Sequence, residues 1–262
     1  MYAARRSGLK QEMFGYVDGG YATVLTALRR RLADIGVEVR TGTPVSRVGG
    51  ENGAAQVEAG GDTLSFDAAV LTVSCPGVLR LCPTLQTGER ERLGRVVYQG
   101  VLCASLLLRR PLAGYYVTNI TDDVPFTAVI EMTALVDRER FGGNALVYLP
   151  RYLAQEDDGW QRSDHDIREE FLAGLERMYP HFRREDVLGF QVARAREVLA
   201  LATMHYTERS MPPLETSIPN VYIANSAQIA NGTLNVNETV ALAERQAAAL
   251  IARLAATAGE PV

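Results

Sequence analysis

The sequence is short of several things, and each shortage removes a class of function. No stretch of 18 apolar residues exists, so no transmembrane helix is expected, and the N-terminus lacks the apolar core of a signal peptide. Basic residues are not in surplus: 27 Lys and Arg face 31 Asp and Glu, a formal net charge of −4, which argues against a nucleic-acid partner. Arg5, Arg6 and Lys10 form a small basic cluster that reads as a solvated face. The three cysteines, Cys75, Cys82 and Cys103, are odd in number and stand in apolar company. Their spacing suits neither a disulfide framework nor a metal site, and buried thiols in a reducing, cytoplasmic setting are expected. Only three histidines are present. His165 stands between Asp164 and Asp166 at a helix start, and His181 follows Pro180 in a charged turn. Both read as surface residues, while His205 lies on a segment leading back to the most informative part of the chain. There is no catalytic triad, metal cluster or phosphate-binding P-loop.

What is present is a globular profile, 47% apolar and 22% charged over 262 residues, enough for one large domain or two modest ones. Gly15–Tyr21 (GYVDGGY) is a glycine-dense loop able to take positive φ and approach another backbone or a ligand. Tyr21, Val24, Leu25, Leu28, Leu32 and Ile35 then recur at helical spacing, and Gly36 ends that helix. Val37–Val39 alternates like a strand, and Val45–Val48 starts another. Gly49-Gly50 and Asn52-Gly53 mark turns, so 54–59 and 62–67 are expected to pair as a hairpin. Ala68–Val73 is a continuous apolar run, expected to be a strand buried on both faces, with a short helix around Val78–Leu81.

From about residue 85 the texture changes to long apolar strand candidates: Val96–Leu108, Tyr115–Ile120, Phe126–Glu131 and Ala145–Leu149. Ser163 is placed to cap a helix whose stripe is Ile167, Phe171, Leu172, Leu175 and Met178, ended by Pro180. Near the C-terminus, Asn220–Ala243 (NVYIANSAQIANGTLNVNETVALA) reads as a buried strand, a polar turn through Asn225, and Gly232 at the mouth of a helix. First-turn N–H groups there make an anion or carbonyl site, and Thr233 and Asn235 are placed to cap it. Spacing alone favours an ordinary strand–turn–helix packing unit.

The segment GYVDGGYATVLTALRRRLADIGVEVRTGTPVSRV and the C-terminal stretch resemble the FAD-dependent flavin amine oxidase and protoporphyrinogen-oxidase-like superfamily. The resemblance covers nearly the whole chain and implies an α/β (α+β overall) fold. A partial FAD-binding parallel-sheet domain over 1–84 and 212–262 would carry an inserted antiparallel, substrate-binding domain over 85–211, backed by helices. It implies FAD as cofactor, with Gly19 and Gly20 near the flavin and Val45 beside the adenine. Asn225, Gly232, Thr233, Leu234 and Asn235 would lie at the C-terminal flavin segment, where Ala224-Asn225 stands in place of the usual Gly-Asp. Tyr148, Arg151, His205 and Tyr206 are the candidates for lining a cavity for a small-molecule substrate.

The strand–G-x-G-x-x-G–helix unit that such a protein needs for the dinucleotide does not occur in this sequence. Three expectations stay open: an FAD-dependent oxidoreductase completed by a separate N-terminal-half polypeptide or working as a homo-oligomer, a non-oxidising flavoprotein related to sugar-nucleotide isomerases, and a cofactor-free partner subunit.

Overall fold

The computed structural model describes residues 15–232 and 234–258. It is a mixed α/β structure with one parallel and two largely antiparallel sheet systems. Helix α1 (Tyr21–Asp34) follows the glycine loop, and Gly36, at φ 81°, closes it. Val37–Val39, expected as a strand, is irregular, and the Val37 N–H turns back to the Leu32 carbonyl of α1 at 2.9 Å.

Strands β1 (Val45–Glu51), β2 (Ala54–Ala59) and β3 (Asp62–Phe66) form an antiparallel meander in which β2 pairs with both neighbours. Asn52-Gly53 and Gly60-Gly61 turn the chain, each with positive φ at both positions, the twist that two-residue hairpins require. Gly49-Gly50, expected as a turn, instead lies inside β1. A Cβ at Gly50 would come within 3.0 Å of the Pro219 carbonyl oxygen, so that glycine serves close backbone approach.

Strand β4 (Ala69–Leu71) is shorter than the apolar run that suggested it. Helix α2 (Cys75–Leu81) begins earlier than expected because Ser74 Oγ accepts from the Gly77 N–H and Pro76 sits in the first turn. Helix α3 (Thr87–Gly94) follows.

A five-stranded sheet runs in the order β6-β7-β8-β5-β9, with β5 (Tyr98–Leu108), β6 (Val117–Asn119), β7 (Ala128–Glu131), β8 (Ala145–Leu153) and β9 (Val187–Ala200). Strand β5 alternates strictly between buried and half-buried positions, the period of a strand with one well-covered face. Helix α4 (Asp164–Met178) is capped by Ser163, which accepts from the Asp166 N–H at 3.1 Å. It buries Ile167, Phe171, Leu172, Gly174 and Leu175. Phe171 meets Phe126 edge to face at 5.5 Å, and Gly174 leaves room for Pro125 and Phe126. After a one-turn helix α5 (Tyr206–Arg209), strand β10 (Val221–Ile223) pairs in parallel with β4, and helix α6 (Val236–Ala258) ends the described chain.

The chain divides into two compact units. One holds the described residues up to Gly42 with Leu102–Arg151 and Gln161–Ala193; the other holds Thr43–Val101, Tyr152–Trp160 and the described residues from Arg194. Helix α1 thus groups with the sheet strands, whereas the sequence reading puts it with the rest of 1–84. In the second unit Val48, Leu71, Val78, Leu93, Ile218, Val221 and Ile223 form a single core. The expectation that the 68–73 strand is buried on both faces does not hold: Leu71 is buried, but Val70 is 43% exposed, because its side opens onto a cavity that it lines with Thr239 and Leu242 of α6.

Candidate active site

Parallel pairing of β4 with β10 brings two chain exits side by side. The register Ile223↔Leu71 is extended by the Ala224 N–H, which donates to the Leu71 carbonyl at 3.0 Å. Asn225 therefore emerges next to Val73. Its Nδ2 donates to the Val73 carbonyl at 2.8 Å, and its Oδ1 accepts from the Ala227 N–H at 3.0 Å. Gln228 Oε1 accepts in turn from the Asn225 N–H at 3.1 Å, completing a reciprocal cap on the turn 226–228. Asn225 is buried, and much of its hydrogen-bonding capacity is directed inward, locking the two exits together. It also borders an apolar cavity of about 450 Å³ with Val70, Thr72, Ser226, Thr239 and Leu242.

The other side of segment 73–75 faces a second cavity, of about 530 Å³, lined by Val45, Val73, Ser74, Gly77, Arg80, Leu81 and Glu197. Val45 and Asn225, singled out separately in the sequence, are thus joined through three consecutive residues. Beneath them the Cys75 N–H donates to the Tyr98 hydroxyl at 3.1 Å. Burial pushes both the Cys75 thiol and the Tyr98 phenol up, so both groups stay neutral and serve as packing.

Tyr206 belongs to the same support. It is buried, and its hydroxyl donates to the Ala227 carbonyl at 2.6 Å, bracing the turn that carries Asn225. Burial and the nearby Cys75 push its phenol up to about 12. His205 is exposed, in the left-handed region at φ 60°, with Nδ1 3.4 Å from a Glu208 carboxylate oxygen. The structure does not bring it to either cavity.

At the start of α6, Asn235 Oδ1 accepts from the Glu238 N–H at 2.9 Å, which caps the helix. The Glu238 side chain folds over Gly232, where a Cβ would lie 3.2 Å from Glu238 Cδ. The helix thus places its own carboxylate at the end of the dipole that favours an anion. Leu234 is half-buried beside this turn, and Thr233 lies outside the described residues, as do Arg5, Arg6 and Lys10.

Gly19 and Gly20 take φ of 80° and 66°, and the Gly20 N–H donates to the Val17 carbonyl at 2.7 Å. A Cβ at Gly19 would collide with Thr23 Oγ1, so the tight turn before α1 needs that glycine. Tyr16 in this loop stands close to Tyr148 on β8. Burial pushes the Tyr148 phenol up, and Cys103 and Tyr16 nearby add to the shift. The glycine loop and Tyr148 therefore share one locality. Arg151 does not: it pairs at 3.7 Å with Glu170 on α4, a carboxylate that Arg162 also contacts.

Sequence reading passed over Ser74, Arg80 and Glu197, the polar wall of the second cavity. A serine just before Cys75-Pro76 at the end of an apolar run is a legible helix cap. Strand β9, which carries Glu197, is masked by Arg194 and Arg196, whose polarity reads as a loop. Among the described residues no group of His, Cys, Asp or Glu is arranged to hold a metal. Nor is any helix among them long and apolar enough to cross a membrane.

This geometry can be set beside known proteins. The chain is similar to a solved putrescine oxidase variant redesigned in its cofactor binding, at 19% identity and a TM-score of 0.67, covering 90% of this chain and 53% of that one. It is similar to a protoporphyrinogen-oxidase-like protein from Exiguobacterium, at 14% identity and a TM-score of 0.62, covering 85% and 51%. A Methanosarcina mazei oxidoreductase aligns at 20% identity and a TM-score of 0.61, covering 80% and 49%. The chain spans about half the length of these structures. No curated protein matches the sequence. The family model for flavin containing amine oxidoreductase matches residues 4–251, and the chain belongs to that family.

Proposed function

We propose that this chain forms the substrate-facing and C-terminal cofactor-facing part of an FAD-dependent oxidoreductase acting on a small molecule. The carrying observation is the junction at Val73–Cys75, which ties Asn225 to Val45 across two cavities. FAD is the cofactor that the family membership supports. The residues present suit its uncharged parts better than its phosphates. Val45, Val73 and Leu81 offer apolar walls to a ring, whereas the α6 N-terminus is already occupied by Glu238. The bound flavin would supply a two-electron acceptor for hydride from a C–N or C–C bond. This chain's part is to orient: Asn225 fixes the turn beside the cofactor, and Tyr148, with Tyr16 and the Gly19-Gly20 loop, offers a neutral wall to the substrate.

The phosphates then need another source of N–H donors, and the missing strand–G-x-G-x-x-G–helix unit would provide it. We propose that the chain works in association, either with a polypeptide carrying that unit or with a second copy. Exposed apolar residues on α1, Val70 on β4 and Val240 and Ile251 on α6 support this reading. A compact monomer that stays monomeric at high concentration and binds no completing half would sink it. The absence of the glycine motif favours a second reading, a cofactor-free partner subunit.

The deciding experiment is the visible absorbance of the purified chain after desalting, with and without prior FAD. Retained flavin bands support the oxidoreductase reading. A colourless chain in both conditions supports the partner-subunit reading.

A further inference from the structure

Glu197 lies half-buried on β9, and its carboxylate borders two cavities: the one of about 530 Å³ beside Val45 and a smaller one of about 330 Å³ beside Tyr98 and Gln155. One oxygen, Oε2, accepts from Ser74 Oγ. Ser74 is itself fixed, since it also caps α2. Among the described residues no hydrogen bond reaches the other oxygen, Oε1. The neighbouring Gln155 has no comparable freedom, because its amide donates to the Tyr98 carbonyl at 3.0 Å and the Arg196 carbonyl at 2.6 Å. A carboxylate held this way accepts from O–H and N–H donors and repels phosphate. Arg80, on the same cavity's lining, has the opposite preference. Between them stand the apolar Val45, Val73 and Leu81. A ligand complementary to all three features has a flat apolar ring, a neutral donor-rich middle and an anionic end, which is the make-up of a nucleoside diphosphate.

We propose that Glu197 is a specificity-determining residue of this cavity, accepting from the ribose hydroxyls of a nucleoside diphosphate group, with Ser74 as its positioning residue. The proposal rests on the flavin reading above and goes further, assigning the ribose of the nucleotide end to a residue of the strand sheet. The cis hydroxyls would use the free Oε1 and the second lone pair of Oε2.

The test is calorimetric titration of the wild-type chain, Glu197→Gln and Ser74→Ala with ADP, 2′-deoxy-ADP and FAD, with near-ultraviolet circular dichroism to confirm folding. The wild type should prefer ADP over 2′-deoxy-ADP by about tenfold, as expected for one hydrogen bond to a charged group. E197Q should lose most of that preference, S74A should lose part of it, and Glu197→Asp should restore some. A wild type that binds both nucleotides equally, or an E197Q chain that keeps the full preference, overturns the assignment while FAD binding leaves the flavin reading intact. A wild type that binds neither ADP nor FAD overturns the flavin reading and the assignment together.

Discussion

Helices α1 and α4 lie in the same compact unit and are nearly equal in length, and each carries an apolar stripe at helical spacing. Helix α4 buries four residues of its stripe, including Phe171 at 0% exposure. Helix α1 buries none, and its Leu25 remains 60% exposed. The second unit repeats the contrast, with β10 buried along its length while its partner β4 leaves Val70 exposed. Periodicity therefore specifies which side of an element wants a partner, and only the presence of that partner decides whether the side is covered. In the association proposed above, the uncovered surfaces are where this chain would meet its partner.

Substitution should make the contrast quantitative. Phe171→Ala should cost about 3–5 kcal/mol of the chain's stability in urea, because it leaves a cavity in a closed core. Leu28→Ala on α1 should cost under about 0.5 kcal/mol, and an equal loss at both positions would break the comparison. Asn225→Ala should fall between them, at about 1–3 kcal/mol, since it leaves the buried Ala227 N–H without its acceptor.

The pH dependence sharpens the covered side. Burial raises the Cys82 thiol from 9.0 to about 11 and the Tyr206 phenol from 10.0 to about 12. Both groups hold their protons more tightly in the folded state. Their contribution to stability is therefore constant below about pH 9 and falls as the unfolded chain, but not the folded one, loses these protons between about pH 9 and 12. Tyr206→Phe should reduce the upper part of that fall in pH-dependent urea midpoints, the buried Tyr98 phenol supplying the rest. The smallest expected effect on stability belongs to Leu25→Glu combined with Leu28→Glu. These changes should leave the melting temperature nearly unchanged and visibly reduce binding of an apolar dye such as ANS. A large loss of melting temperature would mean that α1 is packed in solution.

Local chemistry made much of the fold legible. The hairpin turns at Asn52-Gly53 and Gly60-Gly61, the Ser163 cap, the end of α1 at Gly36 and the strand before Asn225 follow from turn, cap and periodicity rules acting over a few residues. Strand β9 and Gly50 were not legible, because each owes its conformation to chain far away in sequence: the sheet edge at β5 for one, the Pro219 carbonyl for the other. Of the candidate site, resemblance pointed to Val45 and Asn225, which line cavities, and the turn at Gly19 and Gly20 followed from the glycines themselves. Ser74 with Glu197 was not, since those two residues are separated by 123 positions.

By itself the sequence determined the kind of many elements, the faces that want burial and the family to which the chain belongs, because these depend on neighbours along the chain. Tertiary structure alone decided that Asn225 and Tyr206 brace a turn, that Arg151 is held by α4, and that Glu197 shares a cavity with Val45. A side chain's role depends on which donors and acceptors reach it, and only pairing of distant strands brings those groups within hydrogen-bonding distance.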